Sequence, residues 1–239
     1  VLNKLRKWAA RVGEIRISDE SGNPTVTLQV AGVDTDAIIR NADLFDKTGN
    51  RQRKIREMVA ESLKIDDPDK MFLVYPFVWR ATKRDCGVEF ANARDITDGS
   101  LKPNGDDWKL VIDLPFDPEG HDRVADLDRI RRFRETQKDA RTIIWLPAFF
   151  SSKTMNDLGK LVIIDHLLRG DVLDQYSRGL TIQDRVTARS ILESQRSALN
   201  AGIRMAIEIA YGIREFQPGV LDATHDSAEE RFYSLTSTF

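Results

Sequence analysis

The clearest hydrophobic pattern in the chain lies between Asp157 and Ile213, where apolar residues recur at steps of three and four. This spacing places apolar side chains on one face of a helix and predicts two helices joined by a short turn. We expect the first helix to begin at Thr154, which forms a capping-box-like pair with Asp157, and to end near Gly170. The alternative, a buried strand at 160–165, is disfavoured because no breaker follows it.

The second helix is predicted to run from Thr181 to Tyr211 and to end at Gly212. Its apolar residues form two adjacent stripes, which include Leu199 and Ile203. A surface of that width needs more than one neighbour to cover it. We therefore expect an antiparallel helical hairpin that also packs on the rest of the chain.

Short apolar or alternating runs upstream of this hairpin predict strands. They are Glu14–Ile17, Thr25–Val30, Met71–Trp79, Val88–Ala91, Trp108–Leu114 and Thr142–Leu146. Pro76 lacks a backbone N–H, so the third run is predicted to be an edge strand or a bulged one. The last two runs are expected in the middle of a sheet. A helical pattern separates them, which predicts a strand–helix–strand crossover with parallel strands.

Together these elements predict an α+β fold, in which a small mixed sheet flanked by helices is followed by the helical hairpin. Further helices are expected in the opening segment, from Asp34 to Leu44, and from Arg51 to Leu63. We predict a mixed α/β sheet region at 1–150, a hairpin packed on it at 151–216, and a tail or interdomain connector at 217–239. The last segment is assigned by its lack of a hydrophobic period.

Charge is abundant but balanced, with 36 basic and 38 acidic residues in a chain of 239. Such a chain has no overall attraction to DNA or to a membrane, so any nucleic-acid surface must be local. Two basic groups are candidates for nucleic-acid or partner contacts: Arg51, Arg53 and Lys54, and Arg80, Lys83 and Arg84. Arg94 lies close to the second group, and Asp85, Glu89 and Asp95 neutralise this cluster. Another cluster on one helix contains Arg129, Arg131, Arg132 and Arg134 and is neutralised by Asp126, Asp128 and Glu135. Charge of mixed sign favours a solvated face or a protein contact for both clusters.

Motifs for catalysis are weak. No GxxxxGK[ST] loop occurs in the sequence, so we expect no nucleotide cofactor in this chain. Asp113, Asp117 and His121 resemble a strand-end metal site, but the prolines around them favour a turn. Cys86 is the only cysteine, which excludes an intrachain disulfide and indicates a reducing, cytoplasmic setting. We predict no catalytic residue and no metal ligand in the chain.

Several stretches of the sequence resemble one family. They are DLGKLVIIDHLL at 157–168 with the DR..AR.ILE.QR.AL pattern that follows, Val12–Ala42, Val78–Asp95, Trp108–His121 and Leu221–Leu235. Together they look like the central part of PglY-type proteins, the large P-loop ATPases of phage growth limitation and related BREX defence systems. Because the chain begins at Val1, we expect an internal segment of such a protein.

The resemblance implies a non-catalytic module that couples nucleotide state to the engagement of partners or DNA. ATP and Mg²⁺ are then expected only in the P-loop region of the parent ATPase. The implied partners are the rest of the parent protein, other defence-system proteins and DNA, in the cytoplasm and without a membrane. Two alternatives stay open: a nucleic-acid-binding or metal-dependent nuclease accessory domain, which would use the basic hairpin or the turn at 113–121, and an oligomerisation scaffold.

Overall fold

The computed structural model describes residues 15–17, 26–28, 33–65, 73–105, 107–117, 123–136, 141–215 and 217–221. Within these residues the strands are β1 (Ile15–Ile17), β2 (Val26–Leu28), β3 (Leu73–Trp79), β4 (Thr82–Phe90), β5 (Trp108–Ile112) and β6 (Thr142–Trp145). The α-helices are α1 (Thr35–Asn41), α2 (Thr48–Ser62), α3 (Asp98–Leu101), α4 (Arg123–Thr136), α5 (Ser152–Leu167), α6 (Val172–Tyr176) and α7 (Ile182–Ala210). The predicted α+β class is confirmed.

The chain divides into two compact units. The first contains Val1–Phe45 and Ile163–Ala198, and the second contains Asp46–Val162 and Leu199–Phe239. The predicted boundaries at 150 and 216 stay a prediction. None of the helices described above combines the length and the apolar character needed to cross a membrane.

In the first unit, β1 and β2 pair antiparallel with Ile15 opposite Leu28, so the predicted hairpin is confirmed. Helix α1 begins where the sequence indicates, because the Asp34 carboxylate accepts a hydrogen bond from the Ala37 N–H at 3.0 Å. It ends at Asn41, earlier than the predicted end at Leu44, and a 3₁₀ turn follows. The predicted opening helix lies outside the described residues.

The helical part of the first unit agrees with the capping pattern in the sequence. The Asp184 N–H donates to the Thr181 hydroxyl at 3.2 Å, which caps α7. The connection from α5 to α7 is longer than a turn, since it contains α6. The ring of His166 stacks on Phe45 with centroids 3.7 Å apart. Burial lowers the pKa of His166, because the charged imidazolium form loses hydration there.

In the second unit, the strand order is β3-β4-β5-β6, with β3 and β4 antiparallel and the later pairs parallel. The predicted crossover through α4 and the edge position of β3 are confirmed. Two strand predictions are wrong. The β3–β4 turn contains only Arg80 and Ala81, both at positive φ, so β4 begins at Thr82 rather than at Val88. Strand β6 is an edge of this four-stranded sheet, not part of its middle.

The second unit packs helices against its sheet. On one face, Val111 of β5 lies in a buried cluster with Phe133 of α4 and with Ile96 and Leu101. The end of α7 is fixed to β6, because the Trp145 indole N–H donates to the carbonyl of Tyr211 at 3.2 Å. Helix α4 and the end of α7 therefore both contact this sheet.

The start of α5 differs from its prediction. The Ser151 hydroxyl accepts from the Thr154 N–H at 3.2 Å, so the cap lies at Ser151 and the helix begins at Ser152. Thr154 is buried, and its hydroxyl donates to the carbonyl of Val220 at 2.8 Å. Residues 217–221, within the predicted tail, thus return to α5. Residues 222–239 lie outside the described part of the chain.

Candidate functional site

The turn that the sequence marked as a possible metal site follows β5, at the carboxyl ends of the parallel strands. Asn92 and Arg94 follow β4, while Asp113 and Asp117 follow β5. Because the carboxyl ends of parallel strands meet at one edge of a sheet, these side chains come together. Asp126 of α4 joins them through Arg94. We call these five residues the acid cluster.

Asp113 is held by backbone N–H groups from two segments, the one that follows β5 and the one that follows β4. Its carboxylate accepts from the Leu114 N–H at 2.7 Å and from the Ala93 N–H at 3.3 Å. In the amide orientation that satisfies both of its neighbours, Asn92 donates to Asp113 at 3.2 Å and accepts from the Arg94 guanidinium at 3.3 Å. Only 3% of Asp113 is exposed, so these contacts replace water.

Arg94 is the cation of the acid cluster. Its guanidinium hydrogen-bonds the Asp117 carboxylate and lies 3.7 Å from that of Asp126. The backbone N–H of Arg94 also donates to Asp126 at 3.1 Å. The side chains of Asp117 and Asp126 are 3% and 1% exposed. Arg94 therefore ties together the residues after β4, the residues after β5 and helix α4.

The acid cluster holds three carboxyl groups but a single guanidinium group, and burial raises the pKa values of Asp113 and Asp126. Burial raises the pKa of Asp113 to about 8, helped by the charge of Asp126 and opposed by the Leu114 N–H. Burial also raises the pKa of Asp126 to about 6, against the effect of Arg94. At neutral pH Asp113 thus retains its proton, which reduces the buried negative charge.

We predict that the free energy of unfolding falls as pH rises from 7 to 8, by at most about 1 kcal/mol for the single proton at Asp113. The folded pKa of Asp113 lies above its ordinary value of 3.8, so the folded chain binds more protons than the unfolded chain between these values. Urea denaturation at a series of pH values measures this slope. Asp113→Asn should flatten it, and a slope of the opposite sign would show that the buried group is ionised.

The structure brings Asp113 and Asp117 together but does not describe His121. Among the described residues, no group of three His, Cys, Asp or Glu side chains has an arrangement that could hold a metal ion. The interpretation of Arg94 and Asp126 as parts of two separate solvated clusters is wrong, because the two are paired and their side chains are only 11% and 1% exposed. The sequence contained a signal for Asp126, which lies four residues before Ile130 and seven before Phe133, on the apolar face of α4.

The first basic group lies on α2, and its members differ in their surroundings. The Arg51 guanidinium binds the Asp46 carboxylate through two hydrogen bonds of 2.6 Å. This pair packs on Gly159 of α5, where a Cβ atom would lie 2.7 Å from an Arg51 nitrogen. Arg53 is exposed, whereas the Lys54 ammonium lies 3.7 Å from Glu57. Arg51 therefore has a structural partner, and Arg53 is the more accessible cation.

The second basic group lies on the β3–β4 hairpin. Arg80 is in the turn, Lys83 pairs with Val78, and Arg84 pairs with Phe77. Since side chains alternate along a strand, Lys83 and Arg84 point to opposite faces of the hairpin. Nucleic-acid or partner contact by either basic group stays a prediction.

Comparison with known proteins adds the family to this description. No solved structure matches the chain. The sequence model of the family described as the PglY fourth domain matches residues 38–239. This range contains the four-stranded sheet, the acid cluster and helices α5 and α7. The chain therefore belongs to the PglY fourth domain family and is a domain of a phage-defence protein.

Proposed function

We propose that the chain is a non-catalytic module of a large bacterial P-loop ATPase of the Pgl or BREX type, acting in the cytoplasm. In this role it couples the nucleotide state of the parent protein to the engagement of partners or DNA. The match of residues 38–239 to the PglY fourth domain carries this proposal. The proposed partners are the remainder of the parent ATPase, other defence-system proteins and DNA.

The acid cluster supports a non-catalytic role. A catalytic acid or base must reach a substrate, and its pKa is commonly shifted for that task. Asp113 and Asp126 have shifted pKa values, but both are buried and bind groups of the chain itself. Their contacts join the segments that follow β4 and β5 to helix α4, which is a structural role.

Under this proposal, nucleotides bind to another part of the parent protein. A P-loop holds phosphates through backbone N–H groups and one lysine, and the sequence of this chain contains no GxxxxGK[ST] motif. ATP and Mg²⁺ would then act in the P-loop region of the parent protein. This domain would transmit the nucleotide state of the P-loop region to partners or DNA.

We expect the isolated chain neither to bind ATP–Mg²⁺ with micromolar affinity nor to hydrolyse it, because it lacks a phosphate-binding loop. Isothermal titration calorimetry and a phosphate-release assay measure the two properties. Stoichiometric micromolar binding would contradict the proposal.

The coupling itself is measured in the parent protein. Arg53→Ala removes an exposed cation and should reduce the stimulation of ATP hydrolysis by DNA or partner proteins while leaving the basal rate unchanged. Arg131→Ala, at an exposed ion pair with Asp128, is the matched control and should change neither rate. Equal stimulation in all three proteins would count against coupling through this surface.

A further inference from the structure

The β3–β4 hairpin has two faces of different chemistry. In its register Tyr75 lies opposite Cys86 and Phe77 lies opposite Arg84. Because alternate residues share a face, Tyr75, Phe77 and Arg84 lie together. We call this side the aromatic face and the other side, with Val78, Lys83 and Asp85, the mixed face.

Part of the aromatic face is accessible to solvent, although Cys86 and Val88 on the same face are buried. Tyr75 is 50% exposed and Phe77 is partly exposed. The rings of Phe77 and Trp108 make an edge-to-face contact, with their centroids 6.2 Å apart. Trp108 is the parallel partner of Cys86, so it continues the same face onto β5. Aromatic side chains of β3 and β5 therefore lie on one face of the sheet, with Arg84 and Cys86 of β4 between those strands.

Arg84 supplies positive charge beside these rings. It is half-buried, and its Nε atom is buried without a hydrogen-bond partner among the described residues. An arginine in this position can contact a phosphate with its outer nitrogens while its plane lies near an aromatic ring.

The acids that the sequence suggested as neutralising partners lie elsewhere. Asp85 pairs with Pro76, and its side chain belongs to the mixed face. Glu89 is also on the mixed face, and its carboxylate lies 2.6 Å from the Lys109 ammonium. Burial raises the pKa of the Cys86 thiol on the aromatic face, and the charge of Asp107, just before β5, adds to this effect. Neither β3 nor β4 contributes an acid to the aromatic face.

We propose that the aromatic face binds single-stranded nucleic acid, with bases stacked on Tyr75 and Phe77 and a phosphate on Arg84. Flat rings beside a cation suit unpaired bases, whereas a duplex hides its bases from such a surface. Pro76 offers no backbone N–H, which makes β3 a poor edge for the addition of a protein strand. The inference rests on the proposed function, because it names the nucleic acid that the module would engage.

Fluorescence anisotropy with a labelled oligothymidylate at low salt tests this binding on the whole chain. The single strand should bind more tightly than a duplex of equal length. Tyr75→Ala should weaken binding about 5-fold or more, whereas Tyr75→Phe keeps the ring and should bind nearly as well as the unsubstituted chain. Arg84→Gln should reduce the slope of log K against log salt by about 0.7.

Val78→Ser, at an exposed position on the mixed face, is the matched control and should leave affinity unchanged. Circular dichroism melts establish that each variant is folded. The inference is overturned by a folded chain that does not bind the oligonucleotide, by equal affinity for duplex, or by equal weakening from Tyr75→Ala and Val78→Ser. ATP is absent from this experiment, so a failure of the chain to bind the oligonucleotide leaves the coupling proposal standing. Conversely, micromolar ATP binding by the chain would contradict the coupling proposal but not this inference.

Discussion

Arg94→Leu is expected to destabilise the chain by about 3–5 kcal/mol. The substitution removes the cation that binds Asp117 and approaches Asp126, and both of these carboxyl groups are buried. A buried charge without its partner cannot recover the hydration it lost on folding. The free energy of unfolding from urea denaturation at neutral pH measures the effect.

The matched control for this prediction is Arg131→Leu. Arg131 lies 2.9 Å from Asp128, but both side chains are largely exposed, so the substitution should cost less than about 1 kcal/mol. The double variant Arg94→Leu with Asp117→Leu should recover part of the loss, because it removes one of the unpaired carboxylates. Equal and mild effects of Arg94→Leu and Arg131→Leu would mean that water reaches the acid cluster.

Ile203→Ala is expected to cost about 2–5 kcal/mol, because it removes buried methyl and methylene groups from α7 and leaves a cavity. Ile203 is only 2% exposed. Leu199 lies one turn earlier on the same helix but is half-buried, so Leu199→Ala should cost less. The sequence pattern alone did not distinguish these two positions.

Urea denaturation of the two alanine variants, with Glu193→Gln as the control, measures this difference. Glu193 is exposed, and its substitution should change the free energy of unfolding by under about 0.5 kcal/mol. If Ile203→Ala were as mild as Glu193→Gln, this part of α7 would be accessible in solution and available for docking.

Elements with strong local signals were predictable from the sequence. Helix α7 is capped by Thr181 as predicted and runs from Ile182 to Ala210. Pro76 correctly marked β3 as an edge strand. The start of α5 was misplaced, because Ser151 and Thr154 are equally suitable caps and a contact with Val220 decides which one is used.

The candidate sites depended much less on local signals. The sequence placed Arg94 and Asp126 in two separate solvated clusters, yet they are partners 32 positions apart, and Asp126 is buried. It also counted Asp85 as a neutralising neighbour of Arg84, although these adjacent residues point to opposite faces of the hairpin.

The sequence by itself determined the two long helices α5 and α7, the parallel crossover and the absence of a phosphate-binding loop. Each depends on residues close together in the chain, whose spacing sets a helix face, a strand or a motif. Only the tertiary structure decided that Arg94 joins Asp117 and Asp126, and that the aromatic face carries Arg84 without an acid from β3 or β4. Those outcomes depend on strand register and on which strand ends meet at one edge of the sheet, and residue spacing does not specify either.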